Sequence, residues 1–162
     1  MPLSEMLSDP NKILSPCHCA VLRKASRHVS QAYDAALAPA GLKTTQFSLL
    51  AAVHRNGEKS FTMGELAEVM VMDRSTLGHN LRPLERAALI AIEAGGADAR
   101  RREVRLTPKG RSKLKEAAVL WKRMQTRFES AFGAESTTRL REALLALATI
   151  DFSTRVENRT RS

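Results

Sequence analysis

Apolar side chains recur every three or four positions along four long stretches of the chain, as they do on the buried face of an amphipathic α-helix. These stretches predict helices over about 17–38, 44–56, 107–132 and 136–150. Glycine lies at or just beyond the end of each of the first three, where a helix is expected to stop. The chain is therefore predicted to be mainly α-helical, with a segment of mixed structure before residue 107.

This mixed segment begins with a short helix that carries its own start signal. Thr62 and Glu65 have the spacing of a capping box, in which each side chain satisfies an otherwise unpaired backbone amide at the helix start. The helix is expected to end near Met70. A very short strand at 60–61 is expected before it.

Asp73 is predicted to cap a second short helix that runs to about residue 88. Pro83 lies inside this helix and removes one backbone hydrogen bond, so we expect a bend or a shortened helix there. The predicted buried stripe consists of Leu77, Leu81, Leu84 and Ala88.

Two segments after this helix alternate apolar and polar residues, which is typical of paired strands with one covered face. They span 89–93 and 103–106. The residues between them, 94–102, are small residues followed by three arginines, and they predict a hairpin with a basic tip. The resulting order is helix, turn, helix and two-stranded hairpin, inside a mainly α (α+β) chain.

The formal net charge is +9 and the pI is about 10.3. Lysine and arginine that neutralise phosphates release condensed counterions, so this charge favours a polyanionic partner without choosing which one.

No apolar run approaches the roughly 20 residues that span a bilayer, and residues 1–16 lack the features of a signal peptide. We therefore expect a cytoplasmic protein with no membrane partner. Cys17 and Cys19 are expected to be reduced there and too few for a disulfide framework. With scattered histidines, they also make a poor metal site, so no metal or cofactor is predicted.

The order of these elements resembles the winged helix-turn-helix of the multiple antibiotic resistance regulator (MarR) family. Segments 63–67, 73–77 and 84–90 resemble the family's positioning helix, recognition helix and entry to the wing. Segment 98–100 has the form of its Asp-x-Arg wing tip, and segment 106–110 has the form of its Leu-Thr-x-x-Gly start of the fifth helix. The resemblance implies a homodimeric transcription regulator that binds double-stranded DNA.

The resemblance also implies a dimerisation layer in which the first, fifth and sixth helices of two chains interlock. On this basis we divide the chain into 1–42, 43–107, 108–152 and 153–162. These ranges hold the N-terminal segment with the first dimerisation helix, the DNA-binding region, the C-terminal dimerisation helices and a polar tail. Independently, the terminal helices are more apolar than a small winged domain would bury, which favours a partner surface.

In a helix-turn-helix, the N-terminal part of the second helix meets base edges in the major groove. The candidate contacts are Arg74, Ser75, Thr76, His79 and Asn80. Arginine can pair bidentately with guanine and asparagine with adenine. The alternative is an ordinary solvated helix face. Two half-sites of a pseudo-palindromic operator are expected roughly 34 to 36 Å apart.

The predicted wing residues are Asp98, Arg100, Arg101 and Arg102. Cations on a narrow hairpin suit the minor groove and its flanking phosphates. By resemblance to the family, Arg100 is the inserted residue and Asp98 orients it. The alternative is a solubilising charged face.

Cys19, Arg23 and Tyr33 partly resemble the organic-hydroperoxide-sensing branch of the family. Arg23 stands where that branch has a tyrosine, and it could stabilise a thiolate at Cys19. The alternative is a small buried cysteine at a dimer-forming helix.

The commoner family behaviour is a repressor released by a small aromatic or phenolic ligand, with candidate pocket residues Arg23, Arg27, His28 and Phe47.

Two functions of other classes are the alternatives to a DNA-binding regulator. The chain has no glycine-rich phosphate loop, nucleophile elbow or His-Glu-x-x-His motif, so we do not expect an enzyme. A helical interaction module with a basic surface is the other alternative, although aromatics for stacking on RNA are few.

Overall fold

The computed structural model describes residues 17–57, 59–95 and 98–152, and for 98–100 it describes the backbone alone. Close contacts divide the chain into two compact units, one up to Lys122 and one from Arg123 onward. The expected polar tail at 153–162 lies outside the described residues.

The first unit begins with helix α1 (His18–Leu37), a 3-10 turn (Ala38–Ala40) and helix α2 (Thr44–Arg55). Gly41 ends the turn in the left-handed conformation, with φ at 67°. The Asp34 carboxylate of α1 accepts a hydrogen bond of 2.7 Å from the Thr44 amide, one of the amides left unpaired at the start of α2. This bond fixes the junction between the two helices.

The reading segment follows as β1 (Phe61–Thr62), α3 (Met63–Val69) and α4 (Arg74–Arg86). The predicted capping box is confirmed. The Thr62 hydroxyl accepts a bond of 3.2 Å from the Glu65 amide, and the Glu65 carboxylate accepts one of 2.8 Å from the Thr62 amide. These bonds set the start of α3.

Helix α4 continues through Pro83 and ends at Arg86, two residues before the predicted end. The prediction that Ala88 belongs to the buried stripe is wrong, because Ala88 is exposed. It takes φ of +55° beyond the end of the helix, where the Leu89 amide donates to the Leu84 carbonyl. Such a left-handed residue closes a helix but turns its side chain off the helical stripe.

Strands β2 (Ile90–Gly95) and β3 (Asp98–Leu106) form an antiparallel hairpin, and β1 adds to the other edge of β3. Both long strands extend further than the alternating pattern predicted. Residues assigned to the tip, 94–95 and 98–102, belong to the strands. The register shifts between Ala94, opposite Arg102, and Gly95, opposite Asp98, so the arginine run lies at an irregularity of β3.

Helix α5 (Pro108–Phe132) has the predicted bounds, and α6 (Ala134–Ala148) begins two residues earlier than expected. Between them, Gly133 adopts φ of +88°. The core of the first unit gathers leucines from α1 to α4 around Val104 of β3. Its fully buried large side chains are Leu37, Leu49, Leu50, Leu66, Leu77, Leu81, Leu84 and Val104. Each contributes roughly 1.5 to 3 kcal/mol of transfer free energy.

Candidate nucleic-acid interface

The N-terminus of α4 is organised by one carboxylate. Asp73 accepts a hydrogen bond of 2.8 Å from the Thr76 amide, which confirms the predicted cap. Its two oxygens also accept bonds from the hydroxyls of Ser75, at 2.5 Å, and Thr76, at 2.7 Å. The hydroxyl protons of Ser75 and Thr76 are therefore committed to Asp73, while their lone pairs stay available to an incoming donor.

These bonds from Ser75 and then Thr76 hold the pKa of Asp73 well below its ordinary value of 3.8. We predict that Asp73→Ala lowers the stability of the fold, because α4 loses its cap. A depressed folded pKa stabilises the fold above the ordinary pKa and loses this contribution as the pH falls below it. The stability difference between wild type and variant, measured by urea unfolding, should therefore shrink as the pH is lowered through 3.8. A difference that does not change with pH would contradict this role of the charge.

The other predicted recognition residues differ in their exposure and in the contacts that their side chains make. Asn80 is half-buried, and its side-chain amide donates a 2.9 Å bond to the Thr76 carbonyl one turn earlier. The side-chain amide keeps its oxygen and its second N–H for pairing with adenine. Arg74 and His79 are exposed, and the Arg74 guanidinium lies 3.5 Å from where a Cβ on Gly64 would stand, so Arg74 reaches over the start of α3.

Of the wing arginines, Arg101 and Arg102 are exposed on β3. The predicted pairing of Asp98 with Arg100 lies outside the described side chains and stays a prediction. Arg101 acts on two acidic residues that the sequence pattern did not connect with it. It contributes to the lowered pKa of Glu65, whose main cause is the bond from the Thr62 amide, and to that of Glu103. Arg101 therefore lies near enough to both carboxylates to act on them electrostatically.

Glu103 is a structural residue that no local sequence pattern indicates. Its carboxylate accepts hydrogen bonds from the Ser60 hydroxyl and, at 3.3 Å, from the Arg105 guanidinium. These two bonds, the first being the larger cause, lower the pKa of Glu103. The polar side of β3 is thereby joined to the segment that precedes β1. Ser60 and Glu103 are 43 positions apart, so no local pattern could have revealed the pair.

The cations at the start of α5 mainly support the fold. Lys109 donates a 2.9 Å bond to the Ala87 carbonyl at the end of α4, and Arg111 donates a 3.0 Å bond to the Leu106 carbonyl. Lys113 forms an ion pair of 2.8 Å with Glu116. These bonds give the three side chains structural roles that require no contact with DNA.

Cys17 and Cys19 are both exposed, and Arg23 follows Cys19 by one helical turn on α1. Tyr33 is buried and lies fourteen residues further along the same unbroken helix. At 1.5 Å per residue this is roughly 21 Å, so Tyr33 cannot contact Cys19 within one chain. The predicted trio is therefore not brought together in the described chain.

The four predicted pocket residues do not share one cavity. Arg23 and Arg27 line an open groove of about 400 Å³ on α1, together with Leu22 and Ser26. His28 is exposed and does not line that groove. Phe47 is instead buried in the first unit, where it stacks on Trp121 with a centroid distance of 5.9 Å. Its place in the core follows from a contact between α2 and α5 that the spacing of apolar residues does not specify.

Within the described ranges, no helix is both long enough and apolar enough to cross a membrane. The same residues contain no group of three or more side chains arranged to hold a metal ion.

Comparison with known proteins agrees with this geometry. Residues 40–101, which contain α2 to α4 and most of the wing, match the model of the MarR family. The M. tuberculosis transcriptional regulator MosR, solved in complex with DNA, is 40% identical to this chain with a TM-score of 0.70. The match covers 82% of this chain and 95% of MosR. The chain belongs to the MarR family. It is a winged helix-turn-helix transcription regulator that binds double-stranded DNA.

Two further solved MarR-type structures extend the comparison. The transcriptional repressor CouR, bound to a 23-mer DNA duplex, is 26% identical, with 83% of this chain and 94% of CouR covered and a TM-score of 0.74. BpsR of Bordetella bronchiseptica, whose DNA binding is regulated by 6-hydroxynicotinic acid, is 20% identical. The match covers 85% of this chain and 96% of the BpsR chain, with a TM-score of 0.75, and shows that the two chains share a fold. No curated protein matches the sequence.

Proposed function

We propose that this MarR-family chain is a cytoplasmic homodimeric repressor. It acts by binding DNA and catalyses no reaction. The proposed operator is a pseudo-palindrome that receives α4 of each protomer in the major groove. The wings enter the adjacent minor grooves. The observation that carries this proposal is the Asp73-capped start of α4, which presents exposed Arg74 and His79 beside a hairpin with exposed Arg101 and Arg102.

The dimer is supported by apolar surface that remains uncovered in one chain. In the first unit, outside the reading segment, large apolar side chains more than a third exposed include Val21, Leu22, Val119 and Trp121. In the second unit they include Phe132, Leu140, Leu144, Leu145, Ile150 and Phe152. They lie on or directly after α1, α5 and α6, the helices expected to form the dimer layer. Apolar surface of this extent favours a protein interface.

The experiment that tests the proposal is selection of bound sequences from random DNA duplexes with purified protein. We expect a two-fold symmetric motif whose half-sites are about one helical turn apart. Duplex binding without any sequence preference, or a motif with one half-site, would contradict the proposal.

Arg100→Ala and Asn80→Ala are expected to affect DNA binding differently. Arg100→Ala should weaken binding to all sequences about tenfold and reduce the slope of log affinity against log salt by about one, because one phosphate-neutralising cation is lost. Asn80→Ala should leave the salt slope unchanged and alter the preferred base at one position of each half-site. Fluorescence anisotropy at several salt concentrations measures both. An unchanged salt slope in Arg100→Ala would remove Arg100 from the interface.

The release signal has two candidates. The first is a small aromatic or phenolic ligand in the α1 groove, where Leu22 offers an apolar surface and Arg23 and Arg27 offer cations. The regulation of BpsR by 6-hydroxynicotinic acid is a precedent within the fold. The second is oxidation of Cys19, and it is favoured by the exposure of this thiol one turn before Arg23.

A peroxide titration of DNA binding decides whether Cys19 is the trigger. If it is, peroxide should release wild-type protein and the Cys17→Ser control from DNA but leave Cys19→Ser bound, because only the last variant lacks the sulfur that peroxide oxidises. Anisotropy with labelled operator measures the release. Equal responses of Cys19→Ser and wild type would exclude Cys19.

A further inference from the structure

A second cavity, separate from the α1 groove, lies at the root of the wing. Its volume is about 470 Å³, which is within the range of small-molecule sites. It is bounded by the end of α2, by Lys59 just before β1, by the end of β3 and by the start of α5. Its lining includes Val53, His54, Lys59, Arg105, Leu106 and Arg111.

The charges in this cavity are unbalanced. Lys59, Arg105 and Arg111 line it, and Arg105 is paired with Glu103 at 3.3 Å. Among the described side chains, the Glu103 carboxylate offsets one of these cations, so two positive charges remain. The Arg111 guanidinium is held in place by its 3.0 Å bond to the Leu106 carbonyl. A fixed guanidinium with free N–H donors favours a carboxylate or phosphate partner.

The position of the cavity argues against a role in reading DNA. Arg105 lies seven residues from Asp98 along β3, at the opposite end from the hairpin tip. At about 3.3 Å per residue, the cavity is roughly 20 Å from the part of the wing expected to enter the minor groove. A small ligand therefore fits the site better than the duplex does.

We propose that this cavity at the root of the wing binds a small organic dianion, either a dicarboxylate or a phosphate monoester. Lys59 and Arg111 neutralise its two charges. Val53 and Leu106 contact its apolar body. The occupant links α2, β3 and α5, the three elements that meet where the wing joins the rest of the first unit.

Isothermal titration calorimetry on the full chain without DNA tests this site independently of operator recognition. The probes are phthalate and phenyl phosphate as dianions, benzoate as a monoanion and benzyl alcohol as a neutral analogue. We expect at least one dianion to bind, about tenfold or more tightly than benzoate, and benzyl alcohol not to bind. The stronger of the two dianions identifies carboxylate or phosphate as the preferred group.

Lys59→Gln and Arg111→Gln should each weaken dianion binding about tenfold, as expected for the loss of one charged hydrogen bond. One matched control removes a cation elsewhere: Lys115→Gln on the exposed side of α5. It should bind as wild type does. Lys59 is exposed, so its variant tests the site even if Arg111→Gln fails to fold. The proposal is overturned if neither dianion binds, or if Lys59→Gln binds with wild-type affinity.

Discussion

Gly110→Ala is expected to destabilise the fold by about 3 kcal/mol, the upper part of the usual range for overpacking, and to lower the unfolding temperature by roughly 10 °C. A Cβ at Gly110 would stand 1.9 Å from the Leu89 carbonyl oxygen, which is backbone and cannot rotate away. That oxygen also accepts a bond of 3.2 Å from the Thr107 amide. Relieving the clash would therefore break the junction between α4, β2 and α5. Differential scanning calorimetry measures the effect.

Gly78→Ala is the matched control, since it makes the same chemical change at a site with space. A Cβ at Gly78 meets no atom within 4 Å, and the residue lies inside α4. Alanine is favoured over glycine in a helix interior by about 1 kcal/mol, so this variant should unfold at a higher temperature than wild type. If both variants lost stability equally, the close approach at Gly110 would not be the cause.

The junction at Gly110 also explains part of the family resemblance in physical terms. Thr107 donates its hydroxyl hydrogen to the Ala88 carbonyl at 2.7 Å and accepts a 2.9 Å bond from the Gly110 amide. The Leu-Thr-x-x-Gly segment thus caps α5 and fastens it to the end of α4. The sequence predicted the start of α5 from Thr107 and Pro108, but not the contact with Leu89, because residues 18 or more positions apart are joined only by the fold.

Elements whose signals are local were predicted most accurately. The caps at Thr62 and Asp73 and the bounds of α5 depend on residues within one helical turn, and the structure confirms them. The wing strands were predicted too short, since the small residues and arginines from 94 to 102 have weak intrinsic strand preference. The ladder between Ala94 and Arg102 overrides that preference.

The candidate site was predicted in type more than in detail. Residue types and order indicated Arg74, Ser75 and Thr76 as the reading surface, but not that Asp73 takes both hydroxyl protons. Exposure of Cys19 was likewise not predictable, because a helix position alone does not show which chain or element covers it. Phe47 was expected in a pocket, but the stack on Trp121 places it in the core.

Leu144→Glu is expected to abolish the dimer and to weaken operator binding about hundredfold or more. In a dimer the two DNA-binding regions are linked, so binding of the first raises the effective concentration of the second. This linkage commonly increases affinity by a factor of roughly 10² to 10⁴, and the monomer loses that gain. Leu144 is 43% exposed on α6, close to the helix face that also carries Leu140. A charge there would be desolvated in an apolar interface, which strongly disfavours association. The mass measured by sedimentation equilibrium should fall from twice the chain mass of 17.9 kDa in wild type to the mass of one chain in the variant.

Ala146→Glu introduces the same charge on the same helix, about 200° around the axis from Leu144, at a position that is also exposed. It should remain dimeric and bind the operator as wild type does, because its side chain points away from the apolar face. Circular dichroism of both variants shows whether the helices persist. A folded, dimeric Leu144→Glu protein that still binds its operator tightly would place the dimer contact elsewhere than this face of α6. If the variant is folded, monomeric and no longer binds the operator, then the contacts of one α4 and one wing are too weak alone. Operator binding then requires the two linked DNA-binding regions of a dimer.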